Sequence, residues 1–149
     1  PGILLHLLAA RGYDQPMLER LVTQQAGLLG VSGRSADMET LLAERSTNAD
    51  VAQAIDMFCY RAGMQIGALA AALGGIDGLV FTGGIGEHAA VVRWETCRGL
   101  EHLGIRLDTV RNEQHAAVIS TPESPCTVRV VPTDEDLVIA RHTRAVLGA

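Results

Sequence analysis

The chain has 149 residues, 48% of them hydrophobic and 19% charged, with a formal net charge of −5. This length suits one domain, the balance is that of a globular chain and not a disordered one, and the acidic charge argues against a broad nucleic-acid-binding face. The basic residues other than histidine are all arginine; without a lysine a P-loop is excluded, and any phosphate site must use backbone N–H groups, helix N-termini, arginine or a metal ion.

In chain order, Ile3–Ala10 reads as a short helix stopped by Arg11-Gly12. Asp14 is placed to cap a second helix, with Pro16 in its first turn and Leu18, Leu21 and Val22 along it. Gly27–Gly33 reads as a glycine-punctuated loop whose apolar residues pack inward. Ser35 or Asp37 then caps a short helix through Leu41 and Leu42. The clearest helix starts near Asn48: Val51, Ile55, Phe58, Ala62, Ile66, Leu69 and Leu73 recur at spacings of three and four. Gly63 and Gly67 inside it suggest close packing with a neighbour, and Gly74-Gly75 ends it. Leu79-Val80-Phe81-Thr82 is a continuous apolar run that reads as a buried strand of a largely parallel sheet. A helix carrying Val91, Trp94, Leu100 and Leu103 follows and stops at Gly104. Ile105–Leu107 is an extended piece, Asn112–Val118 a short helix, Thr127–Val131 a second strand, and Asp134–Leu147 a terminal helix.

The order is α/β, a mixed or parallel sheet flanked by helices. Two or three strands fall short of the usual sheet, so the remaining strands are expected upstream, and Pro1 in place of Met suggests the same. Cys59, Cys97 and Cys126 are odd in number and well separated, which argues against a disulfide framework or a zinc site and for buried free thiols in the cytoplasm. No stretch reads as a membrane span or a signal peptide.

Thr82-Gly83-Gly84-Ile85-Gly86-Glu87-His88 is the strongest local signal. A strand ends, three glycines turn the chain, and a helix begins. Glycine lets a phosphate approach the backbone, and a helix N-terminus presents free N–H groups and a partial positive charge. A second reading is a dinucleotide fingerprint, Gly84-x-Gly86-x-x-Ala89, with Asp108 as the ribose-binding acid of an oxidoreductase domain. Against it, helical segments precede the motif, and Gly83 is not part of the pattern. A ligand-free strand-to-helix turn is the plain structural alternative.

Pro132-Thr133-Asp134-Glu135-Asp136-Leu137 places three acids in the first turn of the last helix. Helix capping explains them, with Thr133 as N-cap and Asp136 in a capping-box-like position. They also suit a divalent cation, because carboxylates beside a phosphate site repel it unless a cation lies between. Arg93 and Arg61 could reach phosphate, though solvated or structural roles are favoured for both, and Trp94 reads as core rather than as a base-stacking platform.

The pieces Gly27–Gly33, Ser35-Ala36-Asp37-Met38, Val80–Glu87 and Val131–Ala140, in this order, resemble the acetate and propionate kinase family of the actin-like superfamily, over the whole chain. The resemblance implies a partial RNase H-like domain, the C-terminal nucleotide-binding portion of a homodimeric enzyme. It implies reversible phosphoryl transfer from ATP to acetate or propionate with Mg²⁺. Asp37, Met38 and the following Glu39 then match the stretch at the adenosine. Gly83, Gly84, Ile85, Gly86 and Glu87 match the loop under the nucleotide, and Glu135 the Mg²⁺-associated glutamate. Glu39 stands where the family commonly has arginine, His88 where it has asparagine, and Asp136 where it has a second glutamate. The family's catalytic residues precede the matched region, so no catalytic residue is expected within this chain. A non-catalytic dimerisation module of the same superfamily is a further alternative.

Overall fold

The structure is a computed structural model that describes residues 2–148, apart from the side chains of residues 135 and 136. It divides into two compact units, residues 1–62 and 63–149. Among the described residues it is mostly helical with one two-stranded parallel sheet.

In the first unit, helix α1 (Gly2–Ala10) buries no residue, and the chain leaves it through Gly12 at φ +69°. The Asp14 carboxylate accepts from Met17 N at 2.9 Å and caps α2 (Gln15–Arg20), as expected. The chain continues as a π turn over Leu21–Gln25. The expected loop at Gly27–Gly33 is instead helix α3 (Gly27–Ser32). Its glycines act as boundaries: Gly27 and Gly33 take positive φ at the two ends. Gly30 lies inside because a Cβ there would sit 2.8 Å from the Gln25 carbonyl oxygen. Inward packing is only partial, since Ser32 is buried, Leu28 and Leu29 are half-buried, and Val31 is exposed.

Asp37 caps α4 (Met38–Glu44), and Asn48 Oδ1 accepts from Asp50 N and Val51 N at the start of α5 (Ala49–Leu73). Met38 and Leu41 from α4 and Val51, Ala54, Ile55 and Cys59 from α5 are the buried apolar residues of this unit. Arg34–Glu44 at 2.8 Å and Arg45–Asp56 at 2.7 Å are ion pairs on its surface.

The last turns of α5 belong to the second unit. Gly63 meets the Thr96 carbonyl, 3.0 Å from where a Cβ would stand, so close packing is borne out there. Gly67 meets nothing within 4 Å. The apolar stripe overruns its buried part, because Ala70 is buried while Leu69 and Leu73 are exposed. Gly74 and Gly75, at φ +75° and +132°, end the helix.

Strands β1 (Gly78–Phe81) and β2 (Thr127–Val130) pair in parallel, from Gly78↔Thr127 to Phe81↔Val130. β1 is not buried on both faces as expected: its exposure alternates and Val80 faces outward. Helices α6 (Gly83–His88) and α7 (Ala90–Cys97) follow. α7 stops six residues before Leu103, because Gly99 at φ +89° breaks it and a 3-10 turn over Glu101–Leu103 ends at Gly104, φ +81°. Ile105 bridges Cys126 and Leu107 bridges Ser120, so this piece is extended as expected. The next helix, α8 (Thr109–Glu113), is earlier and shorter than the expected Asn112–Val118. Asp108 caps its start, His115 adopts φ +52° after it, and Val118 is drawn off to pair with Arg129. The core joins Cys97, Leu100, Ile105, Ile119, Cys126, Val128 and Val130, with Phe81 and Leu79 packed against them. The terminal helix is α9 (Glu135–Leu147).

Candidate functional site

A parallel pair sends both strands out at the same edge of the sheet, so whatever follows β1 and β2 is brought together. Here those segments are the glycine-rich turn and the acidic turn. Val131 N donates to the Phe81 carbonyl at 2.9 Å, and Thr82 Oγ1 donates to the Val131 carbonyl at 2.8 Å. One step further, Glu87 Oε1 accepts from Gly83 N at 2.9 Å, Thr133 N at 2.9 Å and Thr133 Oγ1 at 3.0 Å. Hydrogen bonds from Thr133, reinforced by Gly83 and the neighbouring His88, hold this carboxyl below its ordinary pKa against some desolvation.

The glycine segment is not an open loop. Thr82 stands at the N-cap position, and Gly83–His88 is helical. The three glycines have different reasons. Gly83 takes φ +70°, which a side chain rarely adopts. A Cβ on Gly86 would lie 3.1 Å from the Phe81 carbonyl carbon, so this glycine lets α6 pack on β1. Gly84 has an ordinary φ, and a Cβ on it would meet nothing within 4 Å. Folding places no demand for glycine there, and the backbone is open to approach from outside.

Behind α6 stands an arrangement that sequence reasoning found only in outline. Arg93 is fully buried. Its guanidinium donates to the carbonyls of Gly86 (2.8 Å), Glu87 (3.0 Å) and Asn112 (2.7 Å) and to Asn112 Oδ1 (2.8 Å). His115 Nδ1 lies 2.9 Å from the Glu87 carbonyl and 3.2 Å from Arg93 Nη2, and Asn112 Nδ2 donates to the Ala90 carbonyl. These acceptors are neutral, so the arginine satisfies the end of α6 and keeps its charge behind the helix. A structural role is among the readings expected for Arg93. Asn112 and His115 gave no signal, because their role depends on α8 being placed against α6.

Thr133 is not the N-cap of α9. That position belongs to Asp134, whose carboxylate accepts from Leu137 N at 2.8 Å, and Thr133 is committed to Glu87. Glu135 begins α9, two residues beyond Thr133, and its side chain lies outside the described residues. Among the described residues no group of three His, Cys, Asp or Glu side chains is gathered to hold a metal ion.

Asp37, Met38 and Glu39 belong to the first unit. Asp37 Oδ2 accepts from Thr40 N (2.9 Å) and Thr40 Oγ1 (2.6 Å), and these bonds lower its pKa. Met38 is a core residue and Glu39 is exposed. Trp94 is not core: it is 41% exposed and lines an open pocket of about 230 Å³ with Arg98, Glu101 and Arg106. The three cysteines are buried and outside any disulfide, as expected, and burial pushes the Cys97 thiol up to about 12. No helix among the described residues is long and apolar enough to cross a membrane.

The acetokinase family profile matches residues 1–141. The chain belongs to the acetokinase family. It is 48% identical over 144 residues to the acetate kinase of Rhodopseudomonas palustris (strain TIE-1), covering 95% of this chain and 36% of that protein. With the acetate kinase of Thermosynechococcus vestitus it shares 51% over 144 residues, covering 95% of this chain and 34% of the relative. Its fold matches the crystal structure of Porphyromonas gingivalis acetate kinase with a TM-score of 0.88 at 41% identity, over 99% of this chain and 38% of that one. It matches a propionate kinase from Francisella tularensis with a TM-score of 0.85 at 29% identity, over 94% of this chain and 36% of that one. The acetokinase chain thus spans about a third of the length of these relatives. Membership in this family displaces the dinucleotide reading of Gly84, Gly86 and Ala89. Asp108, its supposed ribose-binding acid, is the cap of α8.

Proposed function

We propose that this chain is the nucleotide-holding portion of a cytoplasmic, homodimeric acetate or propionate kinase, with part of an actin-like, RNase H-like domain. In the intact enzyme a carboxylate oxygen of acetate or propionate attacks the γ-phosphorus of ATP. An O–P bond forms to the acid as the bond to the ADP oxygen breaks, and the reaction runs in either direction. The observation that carries this reading is the meeting of the Gly83–Glu87 and Pro132–Glu135 segments at one edge of the parallel pair. With no lysine in the chain, backbone N–H groups beside the open Gly84 are the donors suited to phosphate. Asp37, Met38 and Glu39 are assigned to the adenosine end on family grounds.

Mg²⁺ prefers one or two carboxylates plus phosphate oxygens and waters, and the turn into α9 supplies carboxylates of that kind. Glu135 is the residue assigned to it. When bound, the ion neutralises phosphate charge and orients the polyphosphate. The chain's own part is to hold and orient the nucleotide.

Saturation-transfer NMR on the chain tests this. Transfer to ATP with Mg²⁺ and none to NAD is expected; preference for NAD, or binding of neither, overturns it.

A further inference from the structure

We propose that Glu87 is a positioning residue: its carboxylate clasps the segment after β2 to the start of α6 and is not itself a ligand of the nucleotide. Family likeness alone counts Glu87 among the nucleotide-binding residues, and the geometry gives it another task. A single oxygen, Oε1, takes three donors at 2.9–3.0 Å, one from Gly83 and two from Thr133, which lies 46 residues beyond Glu87. Bonds to an ionised acceptor are about twice as strong as neutral ones. They extend the row of contacts begun by Val131 N to Phe81 O and Thr82 Oγ1 to Val131 O. The strand pairing itself ends at Phe81↔Val130, so beyond it Glu87 carries the connection onward.

The other side of the residue is held as firmly. Its carbonyl accepts from Arg93 Nη1 at 3.0 Å and lies 2.9 Å from His115 Nδ1. Glu87 is therefore anchored to the interior through its backbone and to Thr133 through its side chain. Two consequences follow. The Gly83 N–H is already committed to a carboxylate, so it is not a phosphate donor while the clasp is closed. An acid in direct contact with phosphate would repel it, whereas an acid holding Thr133 places the following residues, Asp134 and Glu135, without touching the ligand.

The test combines amide hydrogen exchange at Gly83 and Thr133 with the Kd for ATP–Mg²⁺, on the full chain and on Glu87→Gln, Glu87→Ala and Thr133→Val. Gln keeps an acceptor in the same place and is the control for folding. With a clasp, Glu87→Ala lowers protection of both amides together by about tenfold or more, while Glu87→Gln retains most of it. Glu87→Ala weakens ATP–Mg²⁺ by about tenfold or more and Glu87→Gln by less. Thr133→Val weakens it in the native background and adds nothing to Glu87→Ala. Unchanged protection of Thr133 in Glu87→Ala overturns the proposal. So does a Glu87→Gln variant that keeps native exchange yet loses as much affinity as Glu87→Ala, which would mark a direct contact with the ligand. The affinity arm rests on the function proposed above and the exchange arm does not: a native chain that binds no ATP–Mg²⁺ sinks that function, and exchange alone then decides the clasp.

Discussion

Residue by residue, the glycine-rich turn separates what folding requires from what it does not. Gly83→Ala forces a side chain into φ +70° and is expected to cost about 1–2 kcal/mol. Gly86→Ala presses a Cβ toward the β1 backbone, which has little room to yield, and is expected to cost about 1–3 kcal/mol. Gly84→Ala enters open space inside a helix and is expected to be neutral or to gain up to about 1 kcal/mol. Urea unfolding measures all three, and Gly84→Ala is the variant expected to weaken ATP binding without loss of stability. A second residue-scale prediction concerns Cys97. Burial raises its thiol from 9.0 to about 12 in the folded state, so the neutral form is favoured there. Stability from this group is complete below about pH 9. It declines as pH rises from 9 toward 12, where the unfolded thiol ionises first, by at most about 1.4 kcal/mol per pH unit. Urea midpoints at pH 8 and pH 10 test the sign, and the Cys97→Ser variant is expected to lack this share of the decline.

Among the elements, the short α6 is the informative one. Six residues make a marginal helix alone, and its stability comes from both ends: Glu87 ties its start to Thr133, and Arg93 takes the carbonyls at its finish. Arg93→Met removes donors from four buried or half-buried acceptors and is expected to destabilise the chain by at least about 2 kcal/mol. Arg93→Lys is expected to restore little, since three donors on a flexible stem do not reproduce a planar fork. Thermal unfolding followed by circular dichroism reads both. The α6–α7–α8 region also shows where sequence reading stops. In the sequence Asp108 reads only as a possible ribose-binding acid; that it caps α8 depends on where Ile105–Leu107 pairs. Thr133 had the chemistry of an N-cap, but its N–H and hydroxyl are turned toward Glu87, distant in sequence, and the Asp134 carboxylate accepts from the helix instead. Local patterns report local competition, and this contest was settled between distant segments.

For the whole molecule, a third of an enzyme's length is expected to bind without turning over. The 149-residue chain by itself is expected to yield no acetyl phosphate from ATP and acetate, measured by hydroxamate trapping, because this reading assigns no catalytic residue to it. Leu137, Val138, Ile139, Val146 and Leu147 are exposed on or beside one turn or another of α9, and Ile3, Leu5 and Leu8 on α1. Apolar surface of this extent predicts concentration-dependent association in sedimentation velocity. The sequence by itself determined the helix cap at Asp14, a cap at Ser35 or Asp37, a helix start near Asn48, the two strands, the buried cysteines and the family. Each of these is written in short-range spacing or in residue type. Only the tertiary structure decided that Gly27–Ser32 is a helix, that Trp94 lies at the surface, and that Glu87, Arg93, Asn112, His115 and Thr133 form one connected support. Those outcomes depend on which distant backbone groups are left needing a partner once the strands have paired, and that is not encoded in any window of neighbouring residues.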